Sequence, residues 1–262
     1  MQKRFLILLF IFVFTLTVIG CSNDESNKQE ATIKQVDLTI SAAASLQDAL
    51  NEIKAKYEKE HSNVNITYNF GGSGALYQQI IQGAPVDLFF SAAKDQFDLL
   101  VNDGFIEKNQ SKDLIGNELV LIIPKGAQTG IQSFQDIEKA EKISIGIPET
   151  VPAGKYAKET LVNLDIWKRV ESKLVFAKDV RQVLTYVETG NVDAGMVYKT
   201  DALTSNKVKV MTTAQNNLHS PIVYPVGILK KTANPEEALN FFEYLQTQES
   251  MKILYKYGFK NL

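Results

Sequence analysis

The feature that most constrains this chain is an alternation along its length. Strand-like runs, VDLTISAA, VNITYNF, VDLFFSA, ELVLIIP, KISIGIP, KLVFA, DAGMVY, VKVM and IVYPVGIL, are separated by helical spacing at 45–60, 74–82, 94–102, 153–163, 180–189 and 235–256. Such alternation predicts an α/β fold with mainly parallel sheets covered by helices. Ligands of such sheets bind at the carboxyl ends of strands, where helix N-termini also point. No internal repeat, low-complexity block or long linker divides the body. A two-lobed arrangement therefore has to come from chain crossings, and the expected division places 37–118 and 225–262 in lobe 1 and 119–224 in lobe 2.

The N-terminus has a different character. Residues 1–21 carry Lys3 and Arg4, then an apolar run from Phe5, and end in Val18-Ile19-Gly20-Cys21. A basic segment followed by an apolar one predicts a signal peptide over 1–20; a membrane-spanning helix is the weaker alternative, since the run is near the lower length limit for spanning. A small residue directly before cysteine resembles a bacterial lipoprotein signal, with Cys21 as the lipidated first residue of the mature chain. Cys21 is the sole cysteine, so no disulfide forms within the chain. Residues 21–36 are polar and read as a flexible tether to a membrane, on the extracytoplasmic face, with the body starting near Val36. The net charge is −2, which gives no support for nucleic-acid binding. Any bound anion must be held by a local arrangement of donors, not by a general positive field.

Catalysis and metal binding find little support. The two histidines, His61 in KEHSN and His219 in NNLHSP, read as surface loop residues, and no G-x-S-x-G elbow is present. One cysteine and two isolated histidines do not assemble a usual transition-metal site. GGSGAL, at 71–76, lacks the lysine and spacing of a phosphate-binding P-loop. The expectation is a protein that is not an enzyme and has no cofactor.

What remains is a set of strand-to-helix junctions with small residues. In TISAAASLQDALNEI an apolar run breaks off at Ser45, and Leu46, Ala49, Leu50, Ile53 and Tyr57 then follow helical spacing. Ser45 stands where an N-cap would be, and it is expected both to cap the helix and to present that helix's first N–H groups to an anion. Gly71-Gly72-Ser73-Gly74 leads into a second helix with Ser73 at its start. In GIPETVPAGKYAKETL a helix is expected near Ala153, after Pro152. In AKDVRQVL, Asp179 is a natural N-cap and Val180 offers a first-turn N–H. Tyr198 ends the strand DAGMVY. Taken singly, each junction reads equally well as a capped turn, and Tyr198 as packing. Together they outline a cleft of neutral donors, suited to a fully deprotonated oxyanion that only accepts hydrogen bonds. Each charge-assisted bond contributes roughly 1.5–3 kcal/mol, so several exceed the ~8 kcal/mol of micromolar affinity.

The blocks AAASLQDAL, GAPVDLFFSA, GNELVLIIPK, PETVPAGKYAKETL, DVRQVLTYVETGNVDAGMVYKTDA, YPVGIL and YKYGF, in that order, resemble the molybdate-binding receptors of bacterial ABC importers. The resemblance covers about 37–259. It implies a two-lobed periplasmic-binding-protein-like fold of type II, with a hinge between lobes, that binds molybdate or tungstate and delivers it as a monomer to the permease of an importer. By motif it carries over Ser45, Ser73, the backbone at Ala153 and Val180, and Tyr198 as oxyanion contacts, with no direct ligation of the metal. Asp179 and Arg181 are expected to support the site or form a salt bridge. A donor-only cavity disfavours protonated phosphate, whose O–H would meet a donor, and sulfate is excluded by size. Receptors for sulfate, phosphate or an organic acid are the alternatives; an organic acid would ordinarily call for an arginine clamp. An exported hydrolase using Ser45 or Ser73 lacks a placed base.

Overall fold

The computed structural model describes residues 35–262. The signal peptide expected at 1–20, Cys21 and nearly all of the tether lie outside the described residues.

The body is built on two five-stranded sheets. The first contains β1 (Val36–Ala43), β2 (Val64–Gly71), β3 (Leu88–Phe90), β4 (Ile106–Gly116) and β10 (Val223–Leu229), in the order β2-β1-β3-β10-β4. β1 runs parallel to β2 and β3, pairing Ile40 with Tyr68 on one side and with Leu88 on the other; β10 is antiparallel to β3 and β4. The second contains β5 (Leu119–Pro124), β6 (Ile143–Gly146), β7 (Leu174–Ala177), β8 (Ala194–Tyr198) and β9 (Val208–Thr213), in the order β7-β6-β8-β5-β9. Here β6 is parallel to β7 and β8, while β5 is antiparallel to β8 and β9. Both sheets follow one plan: three parallel strands with the earliest in the middle, then one strand antiparallel to both its neighbours, then an edge strand. The chain passes between them twice, through Asn117 and Glu118 after β4 and through residues 214–222 before β10.

A helix follows each of the parallel strands. In the first half these are α1 (Gln47–Glu60, entered through a 3-10 turn at Ala44–Leu46), α2 (Ser73–Ile81) and α3 (Lys94–Asn102). In the second they are α4 (Pro152–Asn163), with the short α5 (Trp167–Val170) after it, then α6 (Val180–Glu188) and α7 (Lys199–Leu203). α8 (Pro235–Tyr244) and α9 (Gln248–Lys256) close the chain. α1 shows why the spacing folds this way: Ala49, Leu50, Ile53 and Tyr57 are buried on one face. Burial of each large apolar side chain contributes about 1.5–3 kcal/mol. Tyr57 meets Phe241 and Tyr244 of α8 edge-on, which ties the C-terminal helices to α1.

Two elements differ from the sequence-based expectation. β4 has no strand-like pattern: Glu107 to Asp113 are polar and mostly exposed, and apolar burial returns only at its ends. It is an edge strand, where exposed charge is tolerated because it guards against further pairing, and its partner β10 supplies the order. The helical pattern over 235–256 is interrupted at residues 245–247, and Thr247 restarts it as N-cap by accepting a hydrogen bond from Ser250 N–H at 3.3 Å.

Candidate functional site

Between the two halves lies a small cavity of about 10 Å³, the room of a single water molecule at most. Ser45, Gly72, Ser73 and Ala92 line it from the first half, and Val151, Pro152 and Val180 from the second. It sits at the carboxyl ends of β1, β2, β6 and β7, where the four following helical segments begin. The first N–H groups of a helix have no acceptor within it, so each start presents donors there.

Ser45 does not cap a helix, contrary to the N-cap expected from sequence. Ala43 precedes the 3-10 turn, and neither that turn nor α1 has a side-chain cap. Ser45 lies inside the turn, 3% exposed, and its Oγ is 2.8 Å from Tyr224 Oη. Ser73 is the first residue of α2, after Gly72; its Oγ accepts a hydrogen bond from Ala92 N–H at 2.9 Å. Ala153 is the second residue of α4, fully buried, next to the lining residues Val151 and Pro152. Val180 opens α6, whose N-cap Asp179 accepts from Gln182 N–H at 2.8 Å. Tyr198 ends β8 behind the lining shell, its hydroxyl 3.5 Å from the Ala92 carbonyl oxygen. Ser45, Ser73 and Val180 thus share the cavity wall, Ala153 adjoins it, and Tyr198 stands behind Ala92.

The surroundings are polar but nearly uncharged. Burial holds Tyr198 and Tyr224 well above the usual phenol range, so both keep their protons. Asp201, fully buried at the start of α7, is pushed up to about 7 by burial, with the Arg181 guanidinium acting in the opposite direction. Arg181 Nε lies 2.8 Å from Asp201, and Arg181 also pairs with Asp48 of α1. Arg181 is therefore paired with one carboxyl group in each half, Asp201 of its own and Asp48 of the other. His61 stacks on Tyr57, and His219 contacts the Ser220 carbonyl in an exposed loop. Among the described residues no three His, Cys, Asp or Glu side chains are grouped to hold a metal ion.

Sequence reasoning passed over the residues that bring the halves together. Gly74 N–H donates to the Thr150 carbonyl across the cleft at 2.9 Å. A Cβ at Gly74 would lie 2.7 Å from Thr150 Cα, and one at Gly72 would lie 2.8 Å from Thr150 oxygen; the glycines admit this approach. Lys155 of α4 also reaches Asp95 of α3 at 2.7 Å. Asn117 and Tyr224 were missed as well, since a lone asparagine before one strand and a tyrosine inside another carry no distinctive pattern.

Comparison with known proteins gives the family. Residues 38–260 match the family described as bacterial extracellular solute-binding protein. YvgL of Bacillus subtilis (strain 168), named as an ABC transporter substrate-binding lipoprotein, is 54% identical over 99% of each chain. The molybdate-binding protein ModA of Haemophilus influenzae is 38% identical over 85% of this chain and 89% of its own. A solved structure from Clostridium difficile, named as the substrate-binding domain of a molybdenum ABC transporter, is 43% identical, with a TM-score of 0.67 over 87% of this chain and 100% of that one. None of the described helices is long and apolar enough to cross a membrane. The chain belongs to the bacterial extracellular solute-binding protein family.

Proposed function

We propose that this protein captures molybdate outside the cytoplasm and delivers it to an ABC importer. The observation that carries this reading is the convergence of four helical starts, bearing Ser45, Ser73, Ala153 and Val180, on one cavity between the halves. The ModA likeness at 38% identity supports the choice of oxyanion. Ser45 and Ser73 donate through hydroxyls, Ala153 and Val180 through main-chain N–H, and Tyr198 through its hydroxyl. No catalytic step and no cofactor is needed: the anion is cargo, held by hydrogen bonds with no direct bond to its metal. Lobe 1, of 37–118 and 225–262, rotates against lobe 2, of 119–224, about the two crossings. Tungstate, nearly isosteric with molybdate, binds the same donors.

Signal cleavage before Cys21 and lipidation there would hold the monomer at the outer face of the membrane, through the 21–36 tether, beside its permease. The YvgL likeness supports the lipoprotein part of this reading, and N-terminal mass spectrometry of membrane-extracted protein tests it.

The primary test is isothermal titration of residues 31–262 with molybdate, then with sulfate and phosphate. Tight molybdate binding with little response to the other two is the expected result. Heat with sulfate or phosphate and none with molybdate overturns the choice of oxyanion.

A further inference from the structure

Behind the cavity, a buried hydrogen-bond chain has its direction set at one end. Asn117, in the first crossing, is 2% exposed. Its Oδ1 accepts from Glu118 N–H at 2.8 Å, which assigns the oxygen end of the carboxamide. The nitrogen end faces two acceptors, Thr200 Oγ1 at 3.0 Å and Tyr224 Oη at 3.1 Å. An amide NH₂ only donates, so Tyr224 Oη accepts from Asn117. Tyr224 must then place its own hydrogen elsewhere, and Ser45 Oγ at 2.8 Å is the acceptor in range. Were Ser45 to donate instead, Tyr224 would receive two hydrogens and leave its own without a partner in a fully buried place. Ser45 Oγ therefore accepts from Tyr224, and its remaining hydrogen is free for the cavity that Ser45 lines.

The geometry points to a relay, Asn117 to Tyr224 to Ser45, that fixes Ser45 as a hydrogen-bond donor toward the ligand and so sets the discrimination against protonated oxyanions. The proposal rests on the oxyanion reading of the cavity. Asn117 and Tyr224 are positioning residues, because neither lines the cavity. Ser73 is set in the same sense by a shorter route, since its Oγ already accepts from Ala92 N–H. A hydroxyl with no other partner can turn either its hydrogen or both lone pairs to the ligand. Two hydroxyls that already accept keep their hydrogens for an acceptor-only anion and have one lone pair fewer for a ligand O–H, which favours the unprotonated anion.

Asn117→Asp reverses the relay. A carboxylate in place of the carboxamide accepts the Tyr224 hydrogen, Tyr224 accepts from Ser45, and the Ser45 hydrogen turns away from the cavity. The added negative charge weakens every anion in proportion to its charge, so the informative quantity is the ratio of molybdate to phosphate affinity at about pH 8.5, where phosphate is a dianion like molybdate and still carries one proton. That ratio is expected to narrow by about tenfold or more, the scale of one charge-assisted bond. In a Ser45→Ala background, Asn117→Asp should leave the ratio unchanged. Tyr224→Phe removes the middle link without a new charge and should narrow the ratio in the same direction; it serves if the aspartate variant does not fold, as judged by circular dichroism. Folded variants that keep the wild-type ratio, or a narrowing that persists without Ser45, overturn the relay. Absence of molybdate binding by the unsubstituted protein overturns the oxyanion reading itself, which separates the two failures.

Discussion

The two sheets share a plan and differ in what they bring to the cavity. After β1 and β2 the chain enters its helical segments through Ser45 and Ser73, each with a hydroxyl already engaged on its acceptor side. After β6 and β7, the corresponding strands of the other sheet, the helices begin at Pro152-Ala153 and Val180. The side chains there have nothing to donate, and the main chain alone supplies N–H. At these helix starts the first half offers hydroxyls that mutation can remove or turn, and the second offers donors fixed by the helix itself; the one hydroxyl proposed from the second half, Tyr198, comes from the end of β8 and not from a helix start.

The largest effect expected from disturbing this pairing is steric. Gly74→Ala would put a methyl group 2.7 Å from Thr150 Cα, so each half stays intact while their approach is blocked. Overpacking of this kind costs about 1–3 kcal/mol. Molybdate affinity measured by titration should fall by about 10- to 100-fold, with the melting temperature changed little. Next, Ser45→Ala combined with Tyr198→Phe should weaken molybdate by about tenfold or more with the fold retained, since one or two charge-assisted bonds are lost; unchanged affinity would refute the contribution of both hydroxyls.

A pH effect comes third. Asp201 has its folded-state pKa raised from 3.8 to about 7, above its unfolded value. The folded form thus holds its proton more tightly, so the stability contribution is fully present below pH 4 or so and is lost as pH rises through about 7. Arg181, Asp48 and Asp179 are the charged groups around it, and Arg181 limits the loss. Asp201→Asn should flatten the fall in chemical-denaturation stability over that window. The smallest effect should come from the second half: Ala153→Gly keeps the N–H and should change molybdate affinity by less than about threefold, while its helix loses up to about 1 kcal/mol. A large loss of affinity there would break the contrast between the halves.

The α/β architecture was legible in the sequence because strands buried on both faces, such as LVLIIP of β5, and one-sided helices, such as α1, have strong periodic signals. β4 was not, because its polar middle is ordered by a partner more than a hundred residues away along the chain. The helix starts were legible from proline, glycine and serine, yet the state of Ser45 was not. Whether its oxygen caps a turn or accepts from Tyr224 depends on a contact 179 residues away, and local spacing carries no trace of it. Asp179 read correctly as a cap because its partner, Gln182, lies three residues on.

The convergence of four helical starts also has an electrical meaning. Aligned peptide dipoles leave roughly half a positive charge at the N-terminal end of each helix, so four of them present roughly two. A tetraoxyanion such as molybdate carries two negative charges. A filled cavity of this kind is close to neutral without any lysine or arginine among its lining residues. A chain of net charge −2 can in this way receive a dianion from a dilute exterior and release it again, because the compensating charge is spread over peptide groups and switches off as the four ends draw apart.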